Sequence, residues 1–150
     1  MTPFVIVRPS RLPVGEAWLR LTDWERHAAH VPLTRITVTT PPPSGAGTRF
    51  VARTGVGPAG FDDVMDVVRW EPPSEGGGPG RCRLEKRGSV VTGWAEIEVR
   101  PDGAGSRVVW REDLRVRGLP RIGEALVARC GRLLFGRVVR RLLEEPPITG

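Results

Sequence analysis

The only lysine of the chain lies at a position where a charge is costly. In the run 81–87 every second side chain is apolar until Lys86, and in the run 106–117 the apolar alternation is interrupted by Glu112. Because alternate residues of a strand point to the same face, Lys86 and Glu112 are both predicted to face inward. A buried charge is unfavourable unless it is paired, so we expect the two to pair or to contact a polar group of a ligand. A structural ion pair, or a strand-end charge that reaches solvent, is the alternative.

Three aspartates lie on a further predicted strand, where the alternation divides them between two faces. If the face of Met65 is the inner one, Asp63 joins the inward charges; if the face of Val64 is the inner one, Asp62 and Asp66 do. We expect the first arrangement. Paired carboxylates can perform acid/base chemistry, but a mixed strand of this kind is also typical of a solvated acidic face.

The two histidines, His27 and His30, follow Trp24 in a short predicted helix. A histidine there is a candidate general base or ligand donor, and the alternative is a pair of surface histidines. Together with Glu112 and Lys86, His27 completes the set of catalytic candidates. Since no Cys/His cluster has the spacing of a metal site, we expect no metal.

Six runs of strand length must position these residues, and clusters of Gly and Pro separate them. The runs are 35–40, 48–54, 61–70, 81–87, 90–100 and 106–117. Their short connectors predict an antiparallel meander. Two Gly-rich connectors, 55–60 and 72–80, are the predicted lids of any cavity beside the sheet.

Helical periodicity is confined to two regions. The first, 13–30, begins at Pro13, and Asp23 is expected to cap a second short helix over 24–30. The second, Leu119 to about Glu144, predicts one long C-terminal helix. The apolar stripe of its first half consists of Ile122, Leu126, Val127, Cys130, Leu133 and Leu134.

The chain has 150 residues, of which 39% are hydrophobic and 27% charged, which predicts a single domain over 1–150. Its net charge is +6, and 22 of its 23 basic residues are arginine. The arginines are dispersed without the aromatic interleaving of a stacking platform, so we expect no nucleic-acid partner. Two cysteines and no long apolar run favour a reduced cytoplasmic setting without membrane insertion.

Five groups of residues carry a resemblance to a known family. They are Pro13-x-x-Glu16-x-Trp18-x-x-Leu21-x-Asp23, Val31-Pro32, Gly47-Thr48-Arg49-Phe50, Met65-x-Val67-x-x-Trp70-x-Pro72 and Trp110-x-Glu112. With the order strand, two short helices, meander and long helix, the chain resembles the START-like or SRPBCC superfamily and, within it, the polyketide cyclase/dehydrase group. The resemblance implies an α+β helix-grip fold, also called Bet v 1-like, in which a curved antiparallel sheet wraps around the C-terminal helix.

The resemblance also implies a cavity between sheet and helix that binds a hydrophobic or polycyclic small molecule. The alternative is an enzyme of the cyclase/aromatase type that uses cavity-facing acids and bases. No cofactor is expected, and the chain is expected to be a monomer or a homodimer. The expected ligand-binding residues are Trp24, His30, Phe50, Asp63, Met65, Lys86, Trp110, Glu112, Leu126, Cys130 and Leu134.

Overall fold

Seven strands, three α-helices and one short 3-10 turn make up the computed structural model, which describes residues 3–145. In chain order they are β1 (Phe4–Ser10), α1 (Val14–Leu21), α2 (Trp24–His27), the 3-10 turn (Ala28–His30), β2 (Thr34–Val38), β3 (Arg49–Val56), β4 (Ala59–Glu71), β5 (Gly80–Arg87), β6 (Val91–Asp102), β7 (Gly105–Val116) and α3 (Arg121–Glu144). Within this range no helix is both long and apolar enough to cross a bilayer.

The strands form one antiparallel sheet in the order β1-β7-β6-β5-β4-β3-β2. Strands β2 to β7 are consecutive neighbours, which confirms the predicted meander, and β1 pairs with β7 at the edge. Two-residue turns, Gly57-Pro58 and Gly103-Ala104, join two of the hairpins because glycine tolerates the positive φ that such turns need. The predicted α+β helix-grip architecture, with a curved sheet and a long C-terminal helix, is confirmed.

The second short helix differs from its prediction. Only Trp24–His27 is α-helical, and Ala28–His30 forms a tighter 3-10 turn. Asp23 occupies the N-cap position, but its side chain makes no capping hydrogen bond, so the expected cap is wrong. A single helical turn gains little from its own hydrogen bonds, so packing against the neighbouring elements must hold it in place.

A β-bulge in β4 resolves the question of which face of this strand is inside. Met65 lines the interior and Val67 is buried, whereas Val68 is exposed. The register shifts between Val67 and Arg69, and after the shift Trp70 also points inward, where its ring contacts Trp18 at 5.1 Å between centroids. The expected parity is correct up to the bulge, and the opposite parity holds after it because the extra residue reverses the alternation.

Helix α3 has two unlike halves. In the C-terminal half Val138, Val139 and Leu142 are completely buried. In the first half Leu126 is 63% exposed, and Cys130 is exposed as well. The prediction that these two residues face the interior is therefore wrong.

Gly131 explains the orientation of the first half. A Cβ atom added to Gly131 would lie 3.1 Å from Cε1 of Phe4 and 3.4 Å from Cδ2 of Leu114. The helix thus packs closely against these two sheet residues at a position without a side chain. The apolar residues Ile122, Leu126 and Leu133 consequently lie on the outer side of the cylinder.

Candidate functional site

A cavity of about 290 Å³ lies between the concave face of the sheet and the helices. It occupies the half of the sheet next to the β3–β4 hairpin, which we call the mouth end. The opposite half is filled by the buried core, where Leu21 of α1 and Leu142 of α3 are completely buried. The described lining residues are Trp24, His27, Val31, Pro32, Thr34, Ile36, Phe50, Ala52, Thr54, Phe61, Asp63, Met65, Leu84, Lys86, Val91, Ala95, Trp110, Glu112, Leu114, Val116, Leu134 and Phe135.

Five of the rings that line the cavity form a continuous row. Trp24 stacks on Phe50 with centroids 4.8 Å apart, and Trp110 stacks on Phe135 at 5.6 Å. His27 lies between the two pairs, 5.9 Å from both indole rings. We call this row the aromatic wall. Such a surface favours flat, apolar molecules that can stack or pack edge to face.

Three charged side chains form a second feature of the lining, which we call the charged floor. The Nζ of Lys86 donates to Oδ2 of Asp63 at 2.6 Å and lies 3.3 Å from Oε1 of Glu112. The side chains of Lys86 and Glu112 are only 1% and 2% exposed, and that of Asp63 is 15% exposed. The predicted inward charges therefore meet, and Asp63 has the most exposed side chain of the three.

Small residues on β6 allow this cluster to form. Lys86 is on β5 and Glu112 is on β7, so β6 lies between them. The β6 residues in register with them are Gly93 beside Lys86 and Ala95 beside Glu112. Since neither has a side chain larger than a methyl group, the long lysine side chain extends across β6 to the carboxylate.

Burial and mutual attraction both act on these charges. Burial alone would lower the pKa of Lys86, but the carboxylates of Glu112 and Asp63 outweigh it, so the pKa of Lys86 is raised. Burial raises the pKa of Glu112, and the neighbouring ammonium only partly opposes this. Lys86 is therefore protonated and positively charged at neutral pH. Glu112 is a carboxyl group that takes up a proton more readily than usual.

His27 is buried and neutral at neutral pH, because burial lowers its pKa despite a hydrogen bond to the backbone. Its Nε2 lies 2.8 Å from the carbonyl oxygen of Leu21, which can only accept, so Nε2 carries the proton and Nδ1 is the basic nitrogen. His30 is placed differently: its Nε2 lies 2.7 Å from Oε1 of Glu145, and it is not among the lining residues. The expectation that His30 faces the cavity is wrong, because this ring binds the end of the C-terminal helix.

The structure brings together eight of the eleven expected ligand-binding residues in the lining of one cavity. They are Trp24, Phe50, Asp63, Met65, Lys86, Trp110, Glu112 and Leu134. His30, Leu126 and Cys130 lie outside it. Further lining residues that are not among those expected include Phe61, Leu114, Val116 and Phe135. Strand alternation could have identified Leu114 and Val116, because they share the inward face of Trp110. No feature of the sequence marks Phe135 as part of the aromatic wall.

The two expected lids lie at opposite ends of the sheet. The hairpin 55–60 is at the mouth end, and its flanking residues Thr54 and Phe61 line the cavity. The loop 72–80 joins β4 to β5 at the core end, where an added Cβ at Gly80 would be 2.6 Å from Trp18. The prediction that 72–80 covers the cavity is therefore wrong, because the single strand β4 runs from the mouth end to the opposite end of the sheet before this loop begins.

The remaining reactive side chains are the candidate metal ligands and the cysteines. No group of three or more His, Cys, Asp or Glu residues in the described range has a geometry that could hold a metal ion. Cys82 is buried, and burial raises the pKa of its thiol to about 12, which keeps it in the unreactive protonated form.

Comparison with known proteins identifies the fold. No family model and no curated protein matches the sequence. Among solved structures, a STAR-related lipid transfer protein from Xanthomonas axonopodis is 15% identical with a TM-score of 0.66, and the alignment covers 93% of this chain and 84% of that one. A START superfamily protein from Mycobacterium smegmatis is 10% identical with a TM-score of 0.65, covering 95% of this chain and 97% of that one.

A third similar structure is StfQ, the di-domain ARO/CYC of the steffimycin biosynthetic pathway. It is 13% identical with a TM-score of 0.66, and the alignment covers 95% of this chain and 49% of that one. All three likenesses extend over nearly the whole chain while the sequence identities are low, so they concern the fold. The chain has the helix-grip fold of the START-like, or SRPBCC, proteins.

Proposed function

We propose that this protein binds a flat hydrophobic small molecule in the cavity between its sheet and α3. The observation that carries the proposal is the aromatic wall, which faces a mostly apolar cavity and includes the stacked pair Trp110 and Phe135. Ligand sites in proteins are typically concave and apolar with a few placed polar groups, and here Lys86, Asp63 and Glu112 supply those groups.

The size of the cavity favours a compact ligand. Its volume of about 290 Å³ is at the lower end of ligand sites, which begin at about 300 Å³. A molecule of two or three fused rings suits this space and the wall better than a long acyl chain does. The similarity to a lipid transfer protein supports binding in a general sense, and the dimensions of this cavity narrow the class.

Titration with anthracene derivatives tests the proposal, because their fluorescence can be excited away from tryptophan. We expect the methyl derivative to bind the wild-type protein at one site. Ala52→Phe should abolish binding because Ala52 lines the cavity and a phenyl ring would fill it. Thr37→Phe on the exposed side of β2 is the matched control and should bind normally. Equal binding by both variants, with circular dichroism showing both folded, would contradict the proposal.

A second candidate function is catalysis of the cyclase/aromatase type. It is favoured by the charged floor, where the raised pKa of Glu112 gives a buried acid beside the cation Lys86. The similarity to an ARO/CYC protein supports the same function. In this case Glu112 would exchange protons with a bound polyketone while the cavity holds the chain in a reactive conformation.

Mass spectrometry separates the two functions. A binding protein returns an added poly-β-ketone thioester unchanged, whereas a cyclase releases a product that has lost water. Glu112→Gln keeps the shape of the side chain but removes its acidic proton, so it should retain binding and lose turnover. Turnover equal to wild type in this variant would exclude Glu112 as the acid.

A further inference from the structure

We propose that the cavity selects ligands that donate a hydrogen bond and rejects ligands that carry a carboxylate, with Asp63 as the residue that decides. The ligand class is an aromatic or polycyclic compound with a hydroxyl group or a protonated amine. This inference rests on the proposed binding function and specifies its chemistry.

The first step concerns the donors of the charged floor. The ammonium group of Lys86 has three protons, and three acceptors surround it: Oδ2 of Asp63 at 2.6 Å, Oε1 of Glu112 at 3.3 Å and the sulfur of Met65 at 3.6 Å. Only the weak contact with the thioether is readily replaced. The lysine is therefore committed to the two carboxylates of the protein and is a poor receptor for a third.

The second step concerns the acceptors. Within residues 3–145, the Oδ1 atom of Asp63 is buried and accepts no hydrogen bond. Oε2 of Glu112 receives only a long one, 3.4 Å from the indole nitrogen of Trp110. An unsatisfied buried acceptor costs free energy that a donor can recover. The unused hydrogen-bonding capacity of the floor is thus acceptor capacity, which a hydroxyl or ammonium group satisfies and a carboxylate does not.

The third step concerns charge and access. The one ammonium is already paired with Asp63 and Glu112, so an anionic ligand would find no free positive charge in the cluster. Asp63 has the most exposed side chain of the three, at 15% against 1% and 2% for Lys86 and Glu112. It is also directly opposite Ala52 in the β3–β4 register, close to the wall residue Phe50. A ring stacked on the wall can therefore bring its polar group beside Asp63, where a shift of the carboxylate exposes the covered Oδ1 to it.

Three anthracenes that differ only in one substituent test this selectivity: methyl, hydroxymethyl and carboxylate. At a pH where the carboxylate is ionised, we expect the hydroxymethyl compound to bind about tenfold more tightly than the methyl compound, as a hydrogen bond to a charged acceptor allows. The carboxylate compound should bind more weakly than both. A carboxylate that binds as well as the alcohol would overturn the inference.

Asp63→Asn identifies the residue responsible. The amide keeps an oxygen for Lys86 and turns a donor toward the free position, so the alcohol should lose its advantage and the carboxylate should bind better. Asp62→Asn is the matched control: it is the neighbouring aspartate, on the outer face, paired with Arg53 at 3.0 Å, and it should leave all three affinities unchanged.

The outcomes separate this inference from the proposed function. If the methyl compound binds and Asp63→Asn leaves the preference for the alcohol unchanged, the selectivity is not due to Asp63 and the inference is wrong. If none of the three compounds binds the wild-type protein, the proposed function itself fails, and the selectivity fails with it.

Discussion

Lys86 is the residue on which the site depends most. Its ammonium group is the only cation among the described residues within salt-bridge distance of the buried Glu112, and it also pairs with Asp63. A buried ion pair contributes little net stability, but removing one partner leaves an uncompensated buried charge. The mutual attraction of the three charges therefore offsets the desolvation penalty of placing them inside an apolar cavity.

Lys86→Met is expected to lower the free energy of unfolding by about 3–5 kcal/mol, because it strands two carboxylates. Arg87→Met, at the next position, is the control; its pair with Asp66 at 3.5 Å is on the outer face and half exposed, so the loss should be no more than about 1 kcal/mol. Urea denaturation measures both. Similar losses in the two variants would mean that the carboxylates of the floor are not stabilised by Lys86.

The pH dependence of stability tests the state of Glu112. Its folded pKa is raised above the ordinary value of 4.5 by burial, so the folded protein retains a proton that the unfolded chain releases. This contribution favours folding below 4.5 and is lost as the pH rises from there through the folded pKa. We expect Glu112→Gln to gain stability relative to wild type over that window. A stability difference that does not change with pH would show that the folded pKa is not raised.

At the scale of elements, α3 combines two functions in one helix. Its C-terminal part fills the core, and its middle borders the cavity through Leu134 and Phe135. At Gly131 the helix lies against the sheet, which leaves Leu126 and Leu133 on its outer side. The helix therefore has apolar residues along its whole length, but only some of them are buried.

A pair of alanine substitutions tests this division. Leu142→Ala removes a completely buried side chain and should cost about 2–5 kcal/mol of unfolding free energy. Leu126→Ala removes the same atoms from a side chain that is 63% exposed, and surface changes of this kind usually stay within about 0.5 kcal/mol. Thermal or urea denaturation gives the comparison. A large loss for Leu126→Ala would place this residue in a packed environment.

At the scale of the whole molecule, the sheet has a packed end and a hollow end. The bulge in β4 brings Trp70 onto Trp18 at the packed end, and the β3–β4 hairpin borders the cavity at the other. The two ends are connected, because Trp24, Phe50 and Trp110 belong both to the buried core and to the lining of the cavity.

Hydrogen exchange with and without the methyl anthracene compound tests this arrangement. We expect slower exchange in the hairpin 55–60 when the compound is bound, because its flanking strands line the cavity. The loop 72–80 at the packed end is the internal control and should exchange at an unchanged rate. Protection of that loop alone would place the ligand at the wrong end of the sheet.

Much of the candidate site could be predicted from strand alternation. The period of two placed Lys86, Glu112 and Trp110 on the inner face because a strand has only two faces and one of them is apolar. The same rule left β4 ambiguous, since a bulge changes the parity without any sequence mark. Helical periodicity was a weaker guide, because α3 has apolar residues on more than one side, and Leu126 and Cys130 were assigned to the wrong one.

The sequence by itself determined the order of elements, the antiparallel meander and the presence of inward charges, because turns and alternation are local properties of the chain. Only the tertiary structure decided that Lys86 reaches both Asp63 and Glu112, residues that are 23 and 26 positions away along the chain. It also decided which end of the sheet is hollow and which side of α3 faces it. These features depend on the packing of residues that are distant in sequence. The small size of Gly93, Ala95 and Gly131 can be explained only from the residues that lie next to them in the folded protein.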